Sequence, residues 1–392
     1  MVNIATAENA LKTLYLGVLA EQLNTGVNPL LAKIEKTSAD VWGKEVKKLA
    51  PYGLNGGVGA GSETGALPVA GENNYAVFTL PLKNFYGKIE ISDKAVRASE
   101  TSAGAFVNLL NAEMEGLLKA SKFNFGRMLF GDGSGVLATL SAAGSLSGEV
   151  PVDSVRYITE GMTVDFVQPN GQYTSGWKGS RVLSTNRVGN SFTVMPYDPS
   201  TSAVPPVGSK VVVQNSYGNE LTGLEAVFGA SPSIYGLARA NYRFLNPYNK
   251  SLGRSLEPSD IQEAVDYVEE QAGGTVDIIV SSYDVRRAYA DCLALNRTNL
   301  DYMTLDGGYK AISYGGIPFV ADRFVADGSL YALNSADFKL HQLCDWRWLE
   351  GESGNVLRQI PDKAVYTATL VKYADLLCER PMGQAKIHGI TA

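Results

Sequence analysis

The sequence has 392 residues, of which 45% are hydrophobic, 19% charged and 9% aromatic, and its formal net charge is -6. That length exceeds the usual single domain, and the apolar content excludes global disorder. The mildly acidic balance excludes a sequence-wide basic footprint for gripping nucleic acid, so the expected partners are proteins or further copies of the chain.

Residues 7–31 carry Leu11, Leu14, Leu16, Val18 and Leu19 near helical spacing, interrupted at Pro29. The pattern predicts a short amphipathic helix that lies along another element or another subunit. Its apolar run is too short to span a bilayer and has no basic start, so a soluble protein without a visible export signal is expected. Residues 34–49 read as extended. Between Pro51 and Gly71 the chain turns to glycine and small polar residues, a composition that cannot form a core and reads as a mobile loop. Alternating stretches flank it, residues 41–49 before and 75–80 after, the second continuing through Tyr86 to Ile91. Two strands with a glycine-rich tip make a long β-hairpin. A lone two-stranded hairpin is marginal in water, so a neighbouring molecule is expected to support it.

A long helix follows. Thr101 or Ser102 can cap it, and Phe106, Leu109, Leu110, Met114, Leu117, Leu118, Phe125, Met128 and Leu129 keep to one face. It stops at Gly131-Asp132-Gly133-Ser134-Gly135. Residues 152–224 change to short strands, such as 162–167, 180–184, 191–194 and 210–213, with turn pairs at Asn170-Gly171 and Gly189-Asn190. These predict a small all-β barrel or sandwich inserted into the chain. Helix-and-strand patterning then resumes: a helix from Pro258-Ser259-Asp260 to Gly273, a buried strand at 276–280, a helix from Ser282 to Leu295, strands near 317–320 and 329–333, and a long strand over 364–373.

Chemistry is sparse. Cys292, Cys344 and Cys378 are far apart with no Cys-x-x-Cys pair, which argues against a disulfide framework and fits a reducing cytoplasm. With only His341 and His388 and no clustered cysteines, no thiolate or imidazole metal site is read, and no EF-hand loop occurs. The Gly131–Gly135 run ends a helix where a dinucleotide loop opens one, and no Gly-Lys-Ser/Thr triplet is present. The strand at 276–280 is followed by Ser281-Ser282-Tyr283-Asp284, which lacks glycine fingers. A serine triad would need His341, in a strand-like context, or His388, near the chain end. No catalytic, cofactor-binding or metal residues are therefore assigned, and no enzyme is expected. Trp346 and Trp348 share a strand face, either as interface anchors or as a core pair with a stacked cation.

The order of parts resembles the major capsid protein of tailed bacteriophages, with the Hong Kong 97-type fold. Phrases such as Leu129-Phe130-Gly131-Asp132-Gly133-Ser134-Gly135, Asp277-Ile278-Ile279-Val280-Ser281-Ser282, Gly316-Ile317-Pro318-Phe319-Val320-Ala321-Asp322 and Leu376-Leu377-Cys378-Glu379-Arg380-Pro381 carry the likeness. The resemblance implies an α+β chain divided into an N-terminal arm (1–45), an extension loop (46–91), a peripheral domain with a spine helix (92–150), an inserted β-barrel-like domain (151–222), an axial domain (223–345) and a return to the peripheral domain (346–392). It implies a shell of hexamers and pentamers around double-stranded DNA, located in the virion and assembled in the host bacterial cytoplasm. Scaffolding, portal and decoration proteins would be further partners, DNA would be met only by non-specific contact, and no cofactor or membrane is implied. Inter-subunit contact is expected at Tyr52, Leu67, Tyr75, Phe78, Lys83, Tyr86, Trp346 and Trp348. Some members join a hairpin lysine to a partner asparagine; Lys83, Lys88 and Asn355 are present, but nothing places them together. An encapsulin-like nanocompartment and a β-rich adhesin or tail component are the alternatives. The long helix and the α/β unit count against the adhesin.

Overall fold

A computed structural model describes Leu23 and residues 28–94, 103–295, 302–304, 310–351 and 354–391. The segment from Leu11 to Leu19 and the caps Thr101 and Ser102 lie outside the described residues, as do the side chains of Phe106, Leu109 and Leu110. The chain divides into two compact units, Met1–Gly126 with Glu225–Ala392, and Arg127–Leu224. Among the described residues strands outnumber helices in both, an α+β composition.

In the first unit, α1 (Pro29–Lys33) is capped by Asn28, whose Oδ1 accepts from Leu31 N at 2.7 Å. Strands β1 (Glu35–Thr37), β2 (Val41–Trp42), β3 (Glu45–Tyr52), β4 (Asn74–Pro81) and β5 (Lys83–Ser92) follow. Strands β3 and β4 pair antiparallel from Glu45↔Pro81 to Tyr52↔Asn74, which is the expected hairpin. Strand β5 alternates strictly, burying Phe85, Gly87, Ile89 and Ile91, and thereby covers a core with one face. Helix α2 (Ala103–Leu129) has 27 residues, which at ~1.5 Å each is about 40 Å. A side chain at Gly87 would meet Leu117 Cδ1 at 2.8 Å, so the glycine lets strand and helix approach closely. The helix ends as expected: Gly133 and Gly135 take φ of 85° and 78°, and Asp132 Oδ1 accepts from Ser134 N at 2.9 Å.

The second unit is a six-stranded sheet of β6 (Val136–Thr139), β7 (Glu149–Pro151), β8 (Thr163–Val167), β9 (Ser180–Asn186), β10 (Ser191–Met195) and β11 (Lys210–Val213), in the order β6-β11-β8-β9-β10-β7. An antiparallel bridge between Leu140 and Val152, with Asp153 N donating to Thr139 O at 2.9 Å, joins the two outer strands and closes a barrel. Its interior holds Val164, Phe166, Trp177, Phe192 and Val211; Phe166 stands edge-on to Trp177 at 5.2 Å, and Trp177 Nε1 donates to Ala203 O at 2.7 Å. Buried Asp165 is matched by two backbone donors, Gly179 N at 2.7 Å and Asn215 N at 2.8 Å. Gly148 is required, since a Cβ there would lie 2.1 Å from Val194 O. The unit starts earlier than the expected boundary at 151. Strands β6 and β7 are four and three residues long, and β7 ends on a proline, so neither carries a strand period readable in sequence.

The chain re-enters the first unit through α3 (Leu224–Phe228). The buried Arg239 guanidinium donates to the carbonyls of Ala226, Val227 and Leu245, satisfying acceptors that a helix end leaves open. After the short β12 (Ser233–Ile234), β13 (Leu237–Ala238) and β14 (Tyr248–Ser251), helix α4 (Pro258–Ala272) opens on a capping box between Glu257 and Asp260 and ends on Gly273 in the left-handed region. Strand β15 (Ile278–Ser281), helix α5 (Tyr283–Leu295), β16 (Tyr302–Thr304), β17 (Lys310–Tyr314), β18 (Ile317–Ala321) and β19 (Leu330–Leu333) follow, then β20 (Phe338–Trp348), β21 (Arg358–Gln359), β22 (Val365–Cys378) and β23 (Ala385–His388). A seven-stranded mixed sheet runs β14-β23-β19-β15-β18-β17-β16, and both α4 and α5 feed its core through Ile261, Val268, Val285 and Tyr289. The second sheet runs β1-β20-β22-β21, with β5 on the other side of β22. The expected boundary at 345/346 therefore falls inside β20. Residues 385–388, which the resemblance placed in the returning segment, form β23 in the seven-stranded sheet, where it pairs with β14 and β19.

Candidate assembly surface

The hairpin of β3 and β4 has two unlike faces because side chains alternate along each strand. One face is used within the chain. Val46, Ala50, Ala76, Phe78 and Leu80 are buried there, and Phe78 packs against Tyr235 at 5.5 Å and Phe244 at 6.0 Å. Tyr52 stacks on Phe244 at 5.4 Å and stands edge-on to Tyr242 at 5.5 Å. Thr79 N donates to Tyr235 O at 2.9 Å, which covers part of the β4 edge. The base of the hairpin thus rests on residues 235–244 of its own chain.

The other face is open. Register sets Leu49 opposite Val77 and Pro51 opposite Tyr75, and all four side chains are exposed. The strip continues into the tip, where Leu54, Val58, Leu67 and Val69 are at least 86% exposed. A contiguous apolar strip on a two-stranded ribbon is the kind of surface that marks a protein contact. Within the tip, the hydrogen bonds are local: Asn55 Nδ2 donates to Asn73 Oδ1 at 3.0 Å, and Gly57 N to Asn55 Oδ1 at 2.8 Å.

The structure sorts the eight residues expected at contacts. Leu67 and Tyr75 lie on the open strip, whereas Tyr52 and Phe78 face the aromatic pad beneath it. Lys83 and Tyr86 are not on the hairpin. Strand β5, expected as its continuation, turns away at Leu82 and pairs with β22 from Val365↔Ser92 to Ala374↔Lys83. Tyr86 stays exposed there, 6.5 Å from the Tyr373 ring. Trp346 and Trp348 do share a strand face, but they are only 6% and 2% exposed, so within the chain they are a core pair. Trp346 meets Phe125 of α2 at 5.7 Å, and Lys372 Nζ lies 5.6 Å from its ring. That lysine is fully buried and donates to Gln342 Oε1 at 2.7 Å and Asp345 Oδ1 at 2.6 Å. Burial pushes its pKa down, and Asp345 works against that shift. Sequence reading missed the pad of Tyr235, Tyr242 and Phe244, and exposed Trp42 on β2. The closely spaced aromatics at 242 and 244 were the available signal.

Among the described residues no group of three or more His, Cys, Asp or Glu side chains is placed to hold a metal. No described helix is long and apolar enough to cross a membrane. A cleft of about 430 Å³ beside α4 is lined by Tyr248, Tyr267, Glu263, Asp266 and Glu270, among others. Burial, followed by the 2.7 Å bond to Glu263, pushes the Tyr248 hydroxyl well up, so it remains a proton donor and offers no base.

If the open strip serves association, replacing Leu49 and Val77 by serine changes monomer stability by less than about 1 kcal/mol, because both positions face water. The same pair of changes lowers the yield of assembled particles in size-exclusion chromatography. Unchanged assembly at equal protein concentration would remove the strip from consideration.

No family model matches the sequence, and no curated protein matches it. Among solved structures, the chain is similar to one from the Cyanophage A-1(L) capsid asymmetric unit, with a TM-score of 0.56 and 12% identity over 93% of this chain and 94% of the other. It is also similar to a chain of the Satellite phage P4 procapsid, which includes the size determination (Sid) protein (TM-score 0.45, 9% identity, 96% and 99% covered). A third likeness is to the holo-SrpI encapsulin complex from Synechococcus elongatus PCC 7942 (TM-score 0.42, 11% identity, 81% and 78% covered). Over nearly its whole length, therefore, this chain has the fold of the chain in the Cyanophage A-1(L) capsid asymmetric unit.

Proposed function

We propose that this chain is the major capsid protein of a tailed phage, a structural subunit that associates with copies of itself into a closed shell around double-stranded DNA. The observation that carries the reading is the likeness to the Cyanophage A-1(L) capsid chain over nearly the full length of both. The hairpin supports it, because one face is anchored on its own chain and the other displays an apolar strip that a single copy leaves uncovered.

In this reading the architecture is of the Hong Kong 97 type. The β3–β4 hairpin is the extension loop, α2 the spine helix, the sheet of β20 and β22 the peripheral domain and the seven-stranded sheet the axial domain. The barrel of residues 127–224 is an inserted module, and the segment before β1 is the arm. The shell is built of hexamers and pentamers, assembled in the host cytoplasm and found in the virion, with scaffolding, portal and decoration proteins as further partners. A mildly acidic wall meets packaged DNA without gripping it. Several modest contacts per subunit reinforce one another, so the shell holds although no single contact is strong.

Negative-stain electron microscopy of the purified protein, alone and with a candidate scaffold, tests the proposal. Closed shells wide enough for a genome are expected. Small uniform shells holding protein cargo would favour the encapsulin alternative, and monomers or trimers under every condition would refute a shell.

A further inference from the structure

His341 lies in the middle of β20, fully buried, beside the segment that leads from the N-terminal arm into the hairpin. Strand β1 runs parallel to β20 with Thr37 opposite His341, and the chain then turns through Ala39 and Asp40 before β2. That turn is held at few points. Asp40 takes a left-handed φ of 61°, Ala39 N bonds Thr37 Oγ1 at 3.1 Å, Lys47 N bonds Asp40 O at 3.0 Å, and His341 Nδ1 lies 2.9 Å from Ala39 O.

The chemistry of that last contact fixes the proton. A carbonyl oxygen only accepts, so Nδ1 must carry the hydrogen and Nε2 is left as a bare lone pair. Nε2 is buried with no hydrogen-bond partner. Protonating it would create a buried cation whose new N–H has no acceptor, a costly combination. The closed arrangement is therefore compatible only with the neutral ring. If the turn lifts away, the ring meets water and titrates normally.

The geometry points to a pH-operated latch: neutral His341 holds the Ala39 turn, and with it β1, against β20, and protonation of His341 releases them. The charged groups on the surrounding elements are Glu35 and Lys36 of β1, Asp40 of the turn, Lys48 of β3, Lys339 of β20, and Asp375 and Glu379 from β22 and its end. The bond to Ala39 O favours a charge on the ring, as do Glu379 and Asp40, while Lys48 opposes one. Their pull is shared, because Lys48 is paired with both carboxylates and Lys339 lies 3.5 Å from Glu379. Burial outweighs them and pushes the ring's pKa below its ordinary 6.5. The sign follows. The closed form binds fewer protons than the open one, so closure is fully favoured above the ordinary histidine value and weakens as pH falls below it, until the closed form itself takes up the proton.

Hydrogen–deuterium exchange of residues 35–48, corrected for the intrinsic effect of pH on exchange, tests the latch. Opening should rise as pH falls below about 6.5, by at most about tenfold per pH unit, while β15 and β18 stay protected. In His341→Asn the side-chain amide can occupy the Nδ1 position and still donate to Ala39, but it does not titrate, so the response should be flat. No acid response in the native chain, or an equal response in the variant, overturns the proposal. Should the variant fail to fold, the imidazole resonances of the native chain decide: a His341 midpoint at or above the ordinary value overturns it as well. None of these readouts requires a shell, so the latch can fail or stand independently of the proposed function.

Discussion

Replacing residues 53–73 by an Asn-Gly turn should give a folded monomer that forms no stable shells. Tyr52 and Asn74 are the last paired residues of β3 and β4, so a two-residue turn can join the strands there without changing their register. The anchored face survives, because Phe78, Tyr52 and the pad of Tyr235, Tyr242 and Phe244 are untouched. Hydrogen bonds within the tip are local, so little native structure is lost with it. Shortening the loop even favours the folded state, by about 1–2 kcal/mol of closure entropy. What disappears is Leu54, Val58, Leu67 and Val69, the most exposed apolar residues of the hairpin. Circular dichroism should match the parent and the melting temperature should be equal or slightly higher, while electron microscopy shows no closed particles. Normal particles from the shortened chain would mean that the hairpin tip is not an assembly element.

Glu220→Ala should cost the barrel unit about 3–5 kcal/mol. Arg127 and Glu220 form a two-bond pair, Nη1 to Oε2 at 2.8 Å and Nη2 to Oε1 at 2.5 Å, with side chains only 4% and 3% exposed. Removing the carboxylate strands a guanidinium whose Nε already lacks a hydrogen-bond partner. Arginine cannot escape by losing its proton, so the penalty is met in stability. The pair itself is not expected to be worth that much. Arg127→Met with Glu220→Leu, which removes both charges and fills similar volume, should recover most of the loss. Thermal unfolding of the single and double variants gives the coupling directly. A single variant as stable as the parent would show that water or backbone movement rescues the arginine.

Much of this architecture is written in residue spacing. The hairpin, α2, α4, α5 and the strands β15, β18, β19 and β22 emerge from alternation, helical period and caps, because each is long or bounded by a strong stop. The Gly131–Gly135 helix end could be read from the residues alone, since only glycine adopts those dihedrals cheaply. Other short strands were not legible. Strands β6, β7, β14 and β23 have three or four residues each and exist by virtue of their partners, which a local pattern cannot reveal. The path of β5 was hidden for the same reason. Its alternation predicts a strand equally well in either sheet, and only β22 decides between them.

The contact residues show the limit from another side. Phe78, Trp346 and Trp348 have the chemistry of interface anchors, and the chain uses that same chemistry for its own interior. Size and aromaticity cannot separate the two roles; exposure can. Leu49 and Val77, ordinary in type, become notable only once they are seen side by side on an uncovered face.

The barrel unit begins and ends at the same place. A side chain on Gly223 would fall 2.4 Å from Met128 O and 2.6 Å from Leu129 O, so the outgoing chain lies against the incoming helix end. A segment with adjoining ends makes little demand on the chain that carries it, because the span to be closed is a few ångströms whatever is folded between. Its ring of strands leaves no open rim to recruit stray chains. Those two properties make residues 127–224 a natural port for exchange, where a foreign domain with neighbouring termini could be spliced in and carried as cargo.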